Sequence, residues 1–191
     1  MEFFNYRSDI TPGAGRLLVS EPMLADPNFE RTVILLCVHD ADGSLGFVLN
    51  KPADPLLSDL VEWPGEEQIP AFIGGPVQGD TLQFIHRYPD IEGSKEILPG
   101  IFWGGDFDDL RQRAVRGGID PNHIRFFLGY SGWGQGQLEE ELKENTWIVS
   151  DKVDATMIFS TGSDDLWPLV LRKMGGRFAR FVNYPTDPRL N

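Results

Sequence analysis

Apolar residues fall along this chain in two rhythms, one of strands and one of helices. Arg16–Ser20 reads as a strand that stops at Pro22. Thr32–His39 is a run of β-branched and aliphatic residues, the pattern of a buried strand. Ala41-Asp42-Gly43-Ser44 follows as a turn in which Asp-Gly supplies positive φ, and Leu45–Asn50 returns as the second arm of a hairpin. Pro52 and Pro55 then break the strand, and Leu56–Trp63 reads as a short helix. Ala71–Ile73 and Thr81–Arg87 predict two strands able to pair, with Pro89–Gly100 a loop holding a short strand near Ile97. Ile124–Tyr130 and Trp147–Ser150 are further strands. Val153–Phe159 fits helix or strand, with strand favoured, and Phe178–Val182 reads as an edge strand.

The helical rhythm appears three more times. Asp106 is placed to cap a helix running to about Arg116, with Phe107, Leu110 and Ala114 on one face and Gly117-Gly118 as the stop. Gly136–Glu144 directs Leu138 and Leu142 inward and ends at Asn145, a left-handed cap. Asp165 caps a last helix with Pro168 in its first turn and Trp167, Val170, Leu171 and Met174 on one face. Strands mixed irregularly with helices, and at least one hairpin, predict an α+β domain on a mixed sheet.

Composition narrows the class. At 191 residues the chain fits one domain, with residues 1–14 an arm and 183–191 a tail. Its 17 basic and 29 acidic residues give a net charge of -12, which argues against direct nucleic-acid binding. The basic clusters Arg111, Arg113, Arg116 and Arg172, Lys173, Arg177, Arg180 read as solvated helix faces. A single cysteine, Cys37, inside an apolar run suits a reducing cytoplasm. No run of about 18 apolar residues exists to span a membrane.

Complete catalytic motifs are missing. In Gly129-Tyr130-Ser131-Gly132-Trp133-Gly134-Gln135-Gly136, the position that a nucleophile elbow requires as glycine is Trp133. Neither the Walker pattern nor the dinucleotide fingerprint is met. The segment reads as a strand-to-helix junction that packs Trp133 or offers backbone N–H groups to a ligand. His39 and His86 end predicted strands and are placed to flank one cleft, or are satisfied core histidines. No spacing suits zinc, and no cofactor or metal is implied.

Several segments together are specific. They are 15–22 (GRLLVSEP), 26–33 (DPNFERTV), His39 through Gly43 to 46–52 (GFVLNKP), 74–77 (GGPV), 104–106 (GGD), 129–133 (GYSGW) and 136–139 (GQLE). From about Gly15 to Asn191 the chain resembles the AlgH/YqgE family of bacterial proteins. The resemblance implies a bent, barrel-like mixed sheet with helices outside, in a cytoplasmic protein. It brings no established activity. The family is often described as a transcriptional regulator, but nothing here looks like a helix-turn-helix. Carried over by position, the resemblance marks Asp26, Arg31, His39, Asn50, Gly74, Gly75, Gly132, Trp133, Gln137 and Glu141. With His86 these form the candidate cleft.

The leading expectation is a non-enzymatic regulatory protein whose cleft holds an unidentified small ligand or protein partner. The alternatives are an enzyme using His39 or His86 with Glu141 or Asp26 as acid and base, and a transcription-linked regulator without a recognisable DNA-binding motif.

Overall fold

The computed structural model describes residues 6–186. Within them lie ten strands: β1 (Leu17–Ser20), β2 (Val33–Asp40), β3 (Gly43–Val48), β4 (Pro52–Leu56), β5 (Pro70–Ile73), β6 (Val77–His86), β7 (Lys95–Leu98), β8 (Ile101–Trp103), β9 (Ile124–Gly134) and β10 (Trp147–Ser150). The helices are α1 (Leu57–Leu60), α2 (Phe107–Val115), α3 (Gln137–Lys143), α4 (Ala155–Phe159), α5 (Ser163–Met174) and α6 (Phe178–Phe181). Antiparallel neighbours run in the order β10-β1-β2-β3-β9-β6-β8-β7. β5 lies parallel to β9 and carries β4 at its far side, so the sheet is mixed, and it is not closed. The fold is α+β.

The continuous apolar runs of β1 and β2 are explained by burial on both faces. Leu17, Val19, Val33, Leu35 and Cys37 pack with α4, α5 and α6, while Leu18, Ile34 and Leu36 pack with Trp133, Leu138 and Trp147. A third core, around Phe84, Leu110 and Phe126, sits under α2.

β9 is the hub. Its first half runs between β5 and β6, and its last four residues pair with β3. The crossing is possible only because side chains are missing there. A Cβ on Gly74 would lie 2.4 Å from Gly129 O, and one on Gly75 would lie 2.2 Å from the Tyr130 carbonyl. Gly74 and Gly75 therefore serve backbone approach.

Several local expectations are corrected by this packing. The hairpin loop is Ala41-Asp42, and Gly43 already belongs to β3, where a Cβ would meet Trp133 O at 2.3 Å. Pro52 and Pro55 do not end the sheet; they lie in β4 at its margin, where a missing N–H is tolerated. The helix expected over 56–63 is the single turn α1. β5 and β6 do not pair with each other, since both pair with β9. The glycine-rich segment is strand as far as Gly134. Residues 155–159 are helix, capped by Asp154 Oδ1 accepting from Met157 N, and 178–181 are helix, with Phe178 and Phe181 in edge contact. α5 starts at Ser163, so Asp165 is not its cap and Pro168 is its sixth residue.

The arm is docked: Tyr6 packs edge-on to Phe181, and Ser8 Oγ donates to Val149 O. Residues 187–191 of the expected tail lie outside the described residues. No described helix is long and apolar enough to cross a membrane.

Candidate functional site

α3 follows β9 after one tight turn in which Gly136 adopts φ 75°. That turn points Gln137 and Glu141, one helical turn apart, back toward the end of β9. Gln137 Oε1 accepts from Gly134 N at 3.0 Å, and its Nε2 donates to Glu141 Oε1 at 2.9 Å. Glu141 Oε2 accepts two indole N–H groups, from Trp133 at 2.8 Å and Trp147 at 2.7 Å. The two indoles meet edge to face, with centroids 5.9 Å apart, and Phe29 abuts Trp147 at 5.4 Å. One carboxylate thus ties β9, β10 and α3 together.

Above this buckle lies a cleft of about 410 Å³. Asp26, Phe29, Trp133, Glu141, Glu144 and Trp147 are among its walls, and no basic residue lines it. None of its three carboxylates is in an ion pair among the described residues. Asp26 Oδ1 accepts from Asn28 N, which holds the loop that carries Phe29. Of the eleven residues singled out in the sequence, Asp26, Gly132, Trp133, Gln137 and Glu141 come together here.

Arg31 and Asn50 belong to a second cleft, also about 410 Å³. Arg31 has φ 47°, and Asn50 clamps that corner: its Nδ2 donates to Arg31 O at 2.9 Å, and its Oδ1 accepts from Val33 N at 2.8 Å. The Arg31 guanidinium stacks on Trp167 at 4.7 Å.

The histidines do not share a cleft. His39 sits opposite Ser44 in the β2–β3 hairpin, and its Nδ1 shares a hydrogen bond with Ser44 Oγ at 2.8 Å. Its Nε2 is 3.8 Å from Glu139, not Glu141. Residues two apart on a helix point about 200° apart, so His39 and the Trp133–Glu141 buckle use different faces of α3. His86 is fully buried and pairs with Ile124, nine residues before Trp133 on β9, up to about 30 Å away at strand rise. It donates from Nε2 to Gly104 O and accepts Tyr88 N at Nδ1. Burial lowers its pKa, so it is a neutral, satisfied core residue. Burial likewise raises the Cys37 thiol. Ser131 is buried and donates to Gly74 O. In the basic cluster on α2, Arg111 lies by Glu62 and Asp108, and Arg113 pairs with Asp90.

Sequence reasoning did not single out Trp147, Phe29 or Glu144 in the first cleft, nor Lys51, Trp167 and Arg172 in the second. Phe29 and Lys51 neighbour marked positions, which was the available signal. Trp147 carried none, because it enters the cleft across the sheet.

Residues 17–179 match a family model described as AlgH-like. The UPF0301 protein of Chlorobium luteolum is 42% identical over 179 residues, covering 93% of this chain and 94% of that protein. The UPF0301 protein of Chlorobium limicola is 44% identical over 178 residues, covering 93% and 95%. The solution structure of the AlgH protein from Pseudomonas aeruginosa is similar with a TM-score of 0.71 at 26% identity, covering 93% and 98%. A crystal structure of a protein from Corynebacterium diphtheriae shares the fold, with a TM-score of 0.76 at 21% identity over 93% and 95%.

Proposed function

We propose that this chain, which belongs to the AlgH-like family, is a non-enzymatic regulatory protein that holds a cationic segment of a partner in the cleft over Trp133 and Glu141. Membership brings a fold, and a fold does not by itself fix a function, so the chemistry has to come from the cleft. One observation carries the reading: among the described residues, aromatic rings and three carboxylates without an ion-pair partner line one concavity that has no basic residue. Carboxylates favour a positive charge, the half-buried Phe29 ring gives apolar chain a wall to lie on, and the net charge of -12 favours a cation's approach. Glu141 spends three acceptor positions on Trp133, Trp147 and Gln137, so it is held rigidly in the cleft wall.

An acid–base enzyme built from the predicted groups loses its geometry. His86 is remote and neutral, and His39 lies by Glu139 on another face of α3. Titration with short peptides containing Lys or Arg among apolar residues, followed by tryptophan fluorescence, tests the reading. Saturable quenching that weakens about tenfold in Glu141→Gln or Asp26→Asn is expected, the loss of one charge-assisted contact. Quenching that does not saturate, or that ignores both substitutions, removes this site.

A further inference from the structure

We infer that the second cleft, between the 27–32 corner and α5, is a phosphate-binding site for a small phosphorylated molecule. It is independent of the proposed partner cleft and, unlike that cleft, is lined by cations.

Three cations line it: Arg31, Lys51 and Arg172. Two of them are fixed in place. Arg31 stands at a left-handed corner that Asn50 holds, has its guanidinium over the Trp167 ring, and donates from Nη2 to Tyr184 O. Trp167 is itself fixed by donating from Nε1 to Ser20 O at 3.0 Å. Lys51 Nζ donates to Pro27 O at 3.2 Å. Arg172 reaches the same cleft from α5, one turn beyond Pro168, which also lines it.

None of the three is in an ion pair among the described residues, whereas the next residue on α5, Lys173, pairs with Asp154. Arg31 Nε is buried and has no hydrogen-bond partner among the described residues. A buried guanidinium N–H without an acceptor is costly, and an oxyanion supplies the acceptor. Glu30 and Asp164 also line the cleft, but both are exposed, while Arg31 and Lys51 are half-buried. Charges in high dielectric are screened, so the half-buried cations set the sign of the site. Three cations suit a doubly charged phosphate better than a single carboxylate.

The probe is inorganic phosphate, titrated into the full chain at constant ionic strength. The Arg31 Nε–H and Trp167 indole N–H resonances are followed by ¹⁵N NMR, with acetate and chloride as comparison anions. Phosphate is expected to shift both resonances saturably and more tightly than acetate. Arg172→Gln, at an exposed position, and Lys51→Gln, at a half-buried one, are expected to weaken phosphate about tenfold each while the resonances of the rest of the chain stay in place. Glu141→Gln is expected to titrate as the parent chain does. Shifts no larger than those with chloride, equal binding of acetate, or unchanged titration in the Arg172 and Lys51 variants would each overturn the site.

Discussion

Two clefts of the same volume share one stretch of chain, and their chemistry is opposite. Residues 24, 26 and 29 face the first, with its carboxylates and rings; residues 27, 28 and 30–32 face the second, with its cations. In the first, the key charge is tied down by its own neighbours: Glu141 accepts three N–H groups. In the second, Arg31 is positioned by a ring and a carbonyl and keeps a donor unsatisfied. A net charge of -12 therefore says little about a local site. A few side chains set the sign of each cleft: Asp26, Glu141 and Glu144 in the first, the half-buried Arg31 and Lys51 in the second.

The largest effect expected is on the first cleft. Trp133 is 6% exposed, packs against Trp147 and donates to Glu141. Trp133→Ala should cost about 3–5 kcal/mol of stability by urea unfolding, through the cavity and the unpaired carboxylate position. A cost below about 1 kcal/mol would mean that the buckle does not hold the cleft. Asn50→Ala comes next. It strips Val33 N of its acceptor and frees the Arg31 carbonyl, for about 1–3 kcal/mol. Unlike Trp133→Ala, it should weaken phosphate and leave cationic peptides bound as before. If both ligands weaken together, the clefts are one mechanical unit and the contrast between them fails.

What the sequence revealed follows from how local each signal is. The β2–β3 hairpin, α2 with its Asp106 cap and Asn145 at φ 63° are written within a few residues. The link from Gln137 to Glu141 is one turn of helix and was equally legible. Gly43 reads as a turn residue and Gly74 and Gly75 as cleft positions, but all three answer to β9, whose backbone passes where their side chains would be. That demand is tertiary. The runs 153–159, with strand favoured, and 178–182 read as strand, and docking beside β1 and β2 decided for helix at 155–159 and 178–181. The eleven marked residues looked like one cleft because sequence order cannot show that residues 24–32 divide between two. Gly74, Gly75 and His86 serve the fold, and Arg31 with Asn50 serves a different concavity from Trp133 with Glu141.

The smallest effects make the sharpest test of separateness. Arg172 and Glu144 are both exposed, one in each cleft, and neither is in an ion pair among the described residues. Arg172→Gln and Glu144→Gln should each change stability by no more than about 0.5 kcal/mol. Each should weaken only its own ligand. The shared segment is stiff: Phe29 N and Glu30 N donate to Asp26 O, Thr32 N donates to Ser20 Oγ, and Asn50 clamps Arg31 O. A stiff spacer passes little strain, so the double variant should equal the sum of the singles within about 0.5 kcal/mol for both ligands. A larger departure from additivity would show residues 24–32 shifting as a unit, and would turn two neighbouring clefts into a coupled pair in which filling one alters the other.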